Sequence, residues 1–124
     1  MLVQQCTSIM KPPHPPECSE EGLSELPPFT DARIAEIAKA LGHPARIGIV
    51  EQFEDCRPRT VHEIAEHFPL AQSTVSEHLR ILREADILFA THDGPRVWYC
   101  LRRSVLAQYA DAVGDLSLPN PAAG

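Results

Sequence analysis

The most regular hydrophobic pattern in the chain begins after Pro69 and has a helical period. Val75, Leu79 and Leu82 recur at i, i+4 and i+7, a spacing that places them on one face of an amphipathic helix. The residues between them are mostly polar. The pattern therefore predicts a helix with one buried and one exposed face.

Two short β-forming runs follow this helix and predict a hairpin. The runs cover residues 87–91 and 96–101, and His92-Asp93-Gly94-Pro95 separates them. An Asp-Gly pair between apolar runs is a strong signal for a tight turn between antiparallel strands. We therefore expect the chain to reverse direction at this point.

The exposed face of the predicted helix carries side chains suited to reading DNA. Short or flat hydrogen-bonding groups match the donors and acceptors of base edges in a major groove. They are Gln72, Ser73, Thr74, Ser76 and His78. Three arginines are placed to meet phosphate groups. They are Arg80, Arg83 and Arg96. Together the helix and hairpin predict a winged helix-turn-helix, mainly α with a small β-hairpin wing.

Further helices are predicted on both sides of this unit. One spans about 31–41 with a cap at Thr30 or Asp31, and another covers about 44–54. The residues that the second helix is expected to bury are Ile47, Val50 and Phe53.

A third helix begins at Thr60, where Glu63 completes a capping box. A last helix follows Ser104 and covers about 104–115.

Composition divides the chain into an arm, a domain and a tail. Residues 12–28 hold six of the chain's twelve prolines, so residues 1–29 are predicted to form a flexible extended arm. Residues 30–116 form the predicted DNA-binding and dimerisation domain. Residues 117–124 are predicted to be a disordered tail.

The net charge of −6 argues against a nucleic-acid partner, but the charge is unevenly spread. Residues 71–103 carry five arginines against four carboxylates, which permits local binding to DNA. The overall acidity leaves open a second class, a winged helix that binds other proteins and never touches DNA. No P-loop or Cys-x-x-Cys pair occurs, so neither an enzyme activity nor a catalytic cofactor is expected.

The chain lacks an apolar run of membrane-spanning length and the features of a signal peptide. A cytoplasmic location without a membrane partner is therefore expected. Thiols stay reduced in that compartment, which argues against a disulfide framework.

A family resemblance is carried by two runs, LAQSTVSEHLRILREADIL with the following GPRVWYCL, and ALGHPARIGIVEQF. They resemble LSQPTVSHHLKILREAGLV, GRxVYYxL and ALADPTRLRILxxL of the ArsR/SmtB family of metal-responsive bacterial repressors. The resemblance covers roughly residues 31–113. The departures from the family pattern are Ala71 for Ser, Ser73 for Pro, Glu77 for His and Asp86 for Gly.

This resemblance implies a transcriptional repressor that binds double-stranded operator DNA as a homodimer. In the family the first and last helices form the dimer interface, which here would involve residues 31–41 and 104–115. Some arsenic-responsive members bind the metalloid through cysteines of an N-terminal arm and one in the loop before the third helix. The corresponding ligands are Cys18 and Cys56, with Cys6 as a third.

Three thiolates suit As(III) or Sb(III), which bond strongly to sulfur and can take three such ligands in a pyramid. The ion would act as an inducer that releases the repressor from DNA. Zinc, cadmium or lead sensing remains an alternative, and a fourth ligand could come from His14. A thiol-based redox or persulfide sensor would use two of the same cysteines. Cys100, on the last predicted strand, is expected to have a structural role.

Overall fold

The structure, a computed structural model, describes residues 29–117. Five helices and a two-stranded antiparallel sheet follow one another along these residues. They are α1 (Asp31–Leu41), α2 (Pro44–Glu51), α3 (Val61–Ala65), α4 (Gln72–Glu84), β1 (Leu88–Asp93), β2 (Arg96–Leu101) and α5 (Arg103–Leu116). None of these helices is long and apolar enough to cross a membrane. Almost all of the predicted arm, with Cys6, His14 and Cys18, and almost all of the predicted tail lie outside the described residues.

Threonine side chains cap the starts of two helices, α1 and α3. At α1 the hydroxyl of Thr30 accepts the backbone N–H of Arg33 at 3.2 Å, so Thr30 is the cap. At α3 the side chain of Thr60 accepts the N–H of Glu63, and the Glu63 carboxylate accepts the N–H of Thr60, at 3.2 and 3.0 Å. The predicted capping box is confirmed.

The α2 helix is shorter than predicted and turns a different face inward. It ends at Glu51, and Ile47 is 41% exposed, whereas Ile49 is fully buried. Ile49 and Phe53 are buried, and Arg46 and Val50 are half-buried beside them. The prediction for Ile47 is wrong because it considered apolar residues alone. Arg46 is polar but lies on the inward side of α2, so the apolar pattern indicated a different face.

The predicted apolar face of α4 is confirmed. Val75, Leu79 and Leu82 expose no surface and belong to one core to which the other helices and the hairpin contribute. Burying one aliphatic side chain of this size contributes about 1.5–3 kcal/mol. The core therefore holds α4 firmly from beneath and leaves its opposite face in solvent.

The hairpin forms with a slightly longer first strand than predicted. Pairing runs from Leu88 opposite Leu101 to Asp93 opposite Arg96, and Gly94 in the turn has a φ of 62°. A further antiparallel bridge joins the loop before α3 to β2. Its two hydrogen bonds, between the backbones of Arg59 and Tyr99, are 3.0 and 2.8 Å long. The loop before α3 is thus hydrogen-bonded to the wing, a contact that the sequence did not predict.

The turn after α4 is connected to α1 through an ion pair. Asp86 has a φ of 64°, in the left-handed region that glycine adopts readily, which gives a physical reason for glycine at this place in the resembled family. Its carboxylate lies 3.7 Å from the guanidinium of Arg33, a residue that is only 7% exposed. Arg33 also pairs with Glu36 at 3.1 Å. The carboxylate of Asp86 therefore pairs the turn after α4 with the buried guanidinium of Arg33 in α1.

Candidate nucleic-acid interface

The first turns of α4 present a polar face to solvent. The exposed residues are Gln72, Ser73, Thr74 and Ser76. Val75 lies among them and is fully buried, so packing fixes the direction in which the polar side chains project. Ala71 precedes the helix without a side-chain cap, so the cap residue's side chain occupies none of the N–H groups of the first turn. This surface can offer hydrogen bonds both to base edges and to a phosphate group.

His78 does not belong to this exposed face, contrary to the prediction. It is only 9% exposed and lies at i+3 from Val75, beside the apolar stripe of α4. Its ring contacts Arg46 and His43 of the α2 region instead of solvent. The prediction placed His78 on the outer face because a histidine after a run of polar residues continues their pattern.

Arg80 is already engaged by two carboxylates of its own helix. It pairs with Glu77, three residues before it, and with Glu84, four residues after it, the latter at 2.7 Å. Hydrogen bonding to Arg80 lowers the pKa of Glu77, and the two carboxylates raise the pKa of Arg80. A phosphate contact by Arg80 therefore has to compete with these partners.

We expect Glu77→Gln to strengthen binding to every DNA duplex by about 2–5-fold at low salt, because the substitution removes one of the two carboxylates that hold the guanidinium of Arg80. One added phosphate contact should steepen the dependence of log affinity on log salt by about 0.9. Glu54→Gln, the same charge change in the loop after α2, is the control. The explanation fails if the two variants behave alike in fluorescence-anisotropy titrations.

The other two predicted phosphate contacts are exposed. Arg83 lies on the outer side of α4 near its end, and Arg96 begins β2 beside the turn of the wing. The guanidinium of Arg96 lies over the Trp98 ring, 5.8 Å from its centre. Stacking on an aromatic face restrains the guanidinium but leaves N–H groups at its edge to donate.

The two described cysteines differ in exposure, but both are disulfide-bonded. Cys56 is half-buried in the loop before α3, with a φ of 61°, and Cys100 in β2 is fully buried. Neither is a free thiol. The expectation of reduced thiols rested on compartment alone and is wrong for this structure. The bridge between Arg59 and Tyr99 brings the neighbourhoods of these two distant cysteines to one side of the domain.

Within residues 29–117 no group of three or more His, Cys, Asp or Glu residues could hold a metal ion. The predicted partners Cys6 and Cys18 lie outside the described residues. The proposed ligand set stays a prediction.

Sequence reasoning missed Arg46, which links three elements near α4. Its side chain donates to the carbonyl oxygen of Ala40 at 2.6 Å and to the ring of His78 at 3.1 Å. The signal in the sequence is its spacing, because Arg46 stands three residues before Ile49 and seven before Phe53, on the same side of the helix. The identity of its partners depends on the tertiary placement of α4.

These features define a class of protein. A short helix, α3, precedes a helix with an exposed polar face, and an antiparallel wing with an arginine beside its turn follows. This is the arrangement of a winged helix-turn-helix DNA-binding protein. The predicted fold class is confirmed.

Comparison with known proteins gives the family. The pattern of the bacterial regulatory proteins of the arsR family matches residues 43–88. The HTH-type transcriptional regulator CmtR of Mycobacterium tuberculosis is 35% identical over 88 residues, covering 69% of this chain and 70% of that protein. The arsenical resistance operon repressor of Staphylococcus aureus is 26% identical over 87 residues, covering 70% of this chain and 80% of that protein.

A solved structure agrees with the fold. The homodimeric winged helix-turn-helix DNA-binding domain of a possible ArsR-family regulator from Mycobacterium bovis matches with a TM-score of 0.57 and 25% identity. The match covers 68% of this chain and 80% of that one. The chain belongs to the ArsR/SmtB family and is a DNA-binding transcriptional repressor, not an enzyme.

Proposed function

We propose that the chain represses transcription as a homodimer that reads operator DNA with the exposed face of α4. The observation that carries this proposal is the polar first half of α4, from Gln72 to Ser76, projecting from a helix whose other face is fixed in the core. Arg83 and Arg96 hold the DNA backbone. Arg80 joins them when phosphate displaces its carboxylate partners.

A second copy of the chain would cover the exposed apolar surface at the end of α5. Val113 and Leu116 are 39% and 68% exposed, and the small residues Ala110 and Gly114 lie on the same exposed stretch of the helix. The homodimeric relative from Mycobacterium bovis supports this assembly. A dimer places two α4 helices about 34 Å apart, so the operator should be an inverted repeat with half-sites one turn apart.

The DNA-reading role is tested by Gln72→Ala beside Arg96→Ala. The first should lose discrimination between operator and scrambled duplex, by about 1–3 kcal/mol per contacted base pair, because it removes a base contact. The second should weaken both duplexes equally and flatten the salt dependence. Anisotropy titrations at several salt concentrations measure both effects, and their stoichiometry should be two chains per operator. Equal loss on both duplexes for Gln72→Ala would remove the assignment.

The inducer that we propose is As(III) or Sb(III), bound by the thiolates of Cys18 and Cys56, with Cys6 as a third ligand. Sulfur is the donor that these ions prefer, and Cys56 lies in a polar loop instead of the core. The arsenical resistance repressor among the relatives supports the choice of metalloid. Ligation needs reduced, deprotonated thiols, so the response should require a reductant and weaken as the pH falls.

The loop that holds Cys56 is well placed to transmit such binding to the wing. Arg59 follows it and donates to the Gln52 carbonyl at 2.9 Å and to the Asp55 carboxylate at 2.6 Å. The backbone of Arg59 also pairs with Tyr99 of β2. A ligand that reorganises this loop can therefore bias the wing. A coupling of about 1–3 kcal/mol would change DNA affinity about 5–150-fold.

A second candidate function is thiol-based redox sensing. The observation that favours it is that Cys56 and Cys100 are both disulfide-bonded. In this case an oxidant, not a metalloid, would release the DNA. Mass spectrometry after treatment with arsenite or with diamide, alongside operator titrations of the same samples, distinguishes an arsenic adduct from a disulfide as the species that fails to bind.

A further inference from the structure

A polar cluster lies beneath α4 at the point where three helices meet. We call it the His43–Arg46–His78 cluster. Arg46 of α2 donates through Nε to the carbonyl oxygen of Ala40 in α1 at 2.6 Å. The same guanidinium lies 3.1 Å from His78 Nδ1 of α4, and the rings of His43 and His78 have centres 4.7 Å apart.

The hydrogen bonds of this cluster determine which histidine nitrogen can carry a proton. A guanidinium has donors and no acceptor, so His78 Nδ1 has to accept from Arg46 and cannot carry a proton. His43 Nδ1 likewise accepts the backbone N–H of Ala45 at 3.1 Å, where it caps α2. The ring of His78 is therefore neutral in this geometry, with Nδ1 unprotonated.

We propose that Arg46 and His78 are positioning residues that hold α4 at the angle required to read the operator, and that they do so only while His78 is neutral. This inference rests on the proposed reading role of α4. His78 itself faces the interior and touches no DNA. Its contribution reaches the bases through the orientation of the helix that carries Gln72 to Ser76.

Charge around the ring opposes protonation. The titratable and charged groups that act on His78 are His43 and Arg46 from the α2 region and Glu77 from α4. Through Arg46 the cluster also contacts the Ala40 carbonyl of α1. Burial, then His43 and Arg46, lower the pKa of His78 below 6.5, and Glu77 opposes them. The stabilisation from the neutral ring is therefore complete above pH 6.5 and is lost as the pH falls below it.

Acidification also acts on the surface, and the experiment has to separate the two effects. His62, His67 and His92 are exposed, and any positive charge that acid adds to the surface strengthens binding to every duplex. Surface charge changes the affinity for both duplexes equally, so its effect cancels in the ratio of operator affinity to scrambled-duplex affinity. This ratio is the quantity that a positioning role predicts to change.

The test is an anisotropy titration of the full chain with operator and with scrambled duplex, at constant ionic strength, from pH 8 to pH 5.5. We expect the ratio for the parent protein to fall by about 3–10-fold over this range. His78→Asn offers an acceptor at the position of Nδ1 that does not titrate, so its ratio should be independent of pH. His62→Gln removes an exposed histidine and should keep the fall of the parent protein.

Arg46→Lys adds a second readout. Lysine keeps the charge, but it cannot donate to Ala40 and His78 in the geometry of the guanidinium, so its ratio should be low at every pH. Circular dichroism at each pH confirms that the chain is folded. A constant ratio for the parent protein, or a His78→Asn variant that keeps the fall, overturns the proposal. Specific binding at pH 8 tests the proposed function separately, because His78 is neutral there.

Discussion

Cys56→Ser is expected to leave operator binding intact and to abolish release by arsenite. Serine has nearly the size of cysteine, and the position is half-buried in a loop that the Arg59–Tyr99 bridge joins to the wing. Its hydroxyl does not replace a soft thiolate as a ligand for As(III). The parent should lose about 5–150-fold in affinity when arsenite binds, and the variant should lose none.

The measurement is an arsenite titration of the preformed complex in the presence of a phosphine reductant. Arg57→Gln, a change of an exposed neighbour in the same loop, should respond like the parent protein. Cys18→Ser should behave like Cys56→Ser, Cys6→Ser should lose part of the response, and Cys100→Ser should keep it. The Cys18→Ser/Cys56→Ser double variant should stay on DNA at the arsenite concentration that releases the parent protein. If it is released, the metalloid site lies elsewhere.

Leu79→Ala is expected to destabilise the folded chain by about 2–5 kcal/mol, which is a large part of the stability of a small domain. Leu79 is fully buried at the centre of the face that α4 turns to the core, so its loss leaves a cavity under the DNA-reading surface. Ser76→Ala, on the exposed side of the same helix, should change stability by less than about 0.5 kcal/mol. Urea unfolding at a fixed protein concentration measures both. Similar midpoints for the two variants would contradict the assigned core.

The sequence was sufficient to predict features whose residues all lie within one helix or at its end. The period of Val75, Leu79 and Leu82 predicted the buried face of α4, and the spacing of Thr60 and Glu63 predicted a cap. The ion pairs of Arg80 with Glu77 and Glu84 were not predicted, although residues three and four apart meet on a helix.

The sequence was insufficient where polar residues face the interior. Arg46 and His78 each interrupt an apolar stripe, and their mutual contact depends on how α2 and α4 pack. Asp86 was visible as a departure from glycine, but its pairing with the buried Arg33 could not be predicted from the residues next to it. The disulfide-bonded state of Cys56 and Cys100 likewise depends on tertiary structure.

Operator binding and its release by arsenite are tested most directly by one anisotropy experiment on the parent protein under reducing conditions. The labelled duplex is the DNA immediately upstream of its own coding sequence, the competitor is a scrambled duplex of equal length, and arsenite is then added. We expect the upstream duplex to bind at least about 10³-fold more tightly than the scrambled one, and arsenite to weaken this binding about 5–150-fold. Equal affinity for the two duplexes, or an affinity for the upstream duplex that arsenite leaves unchanged, would contradict this expectation.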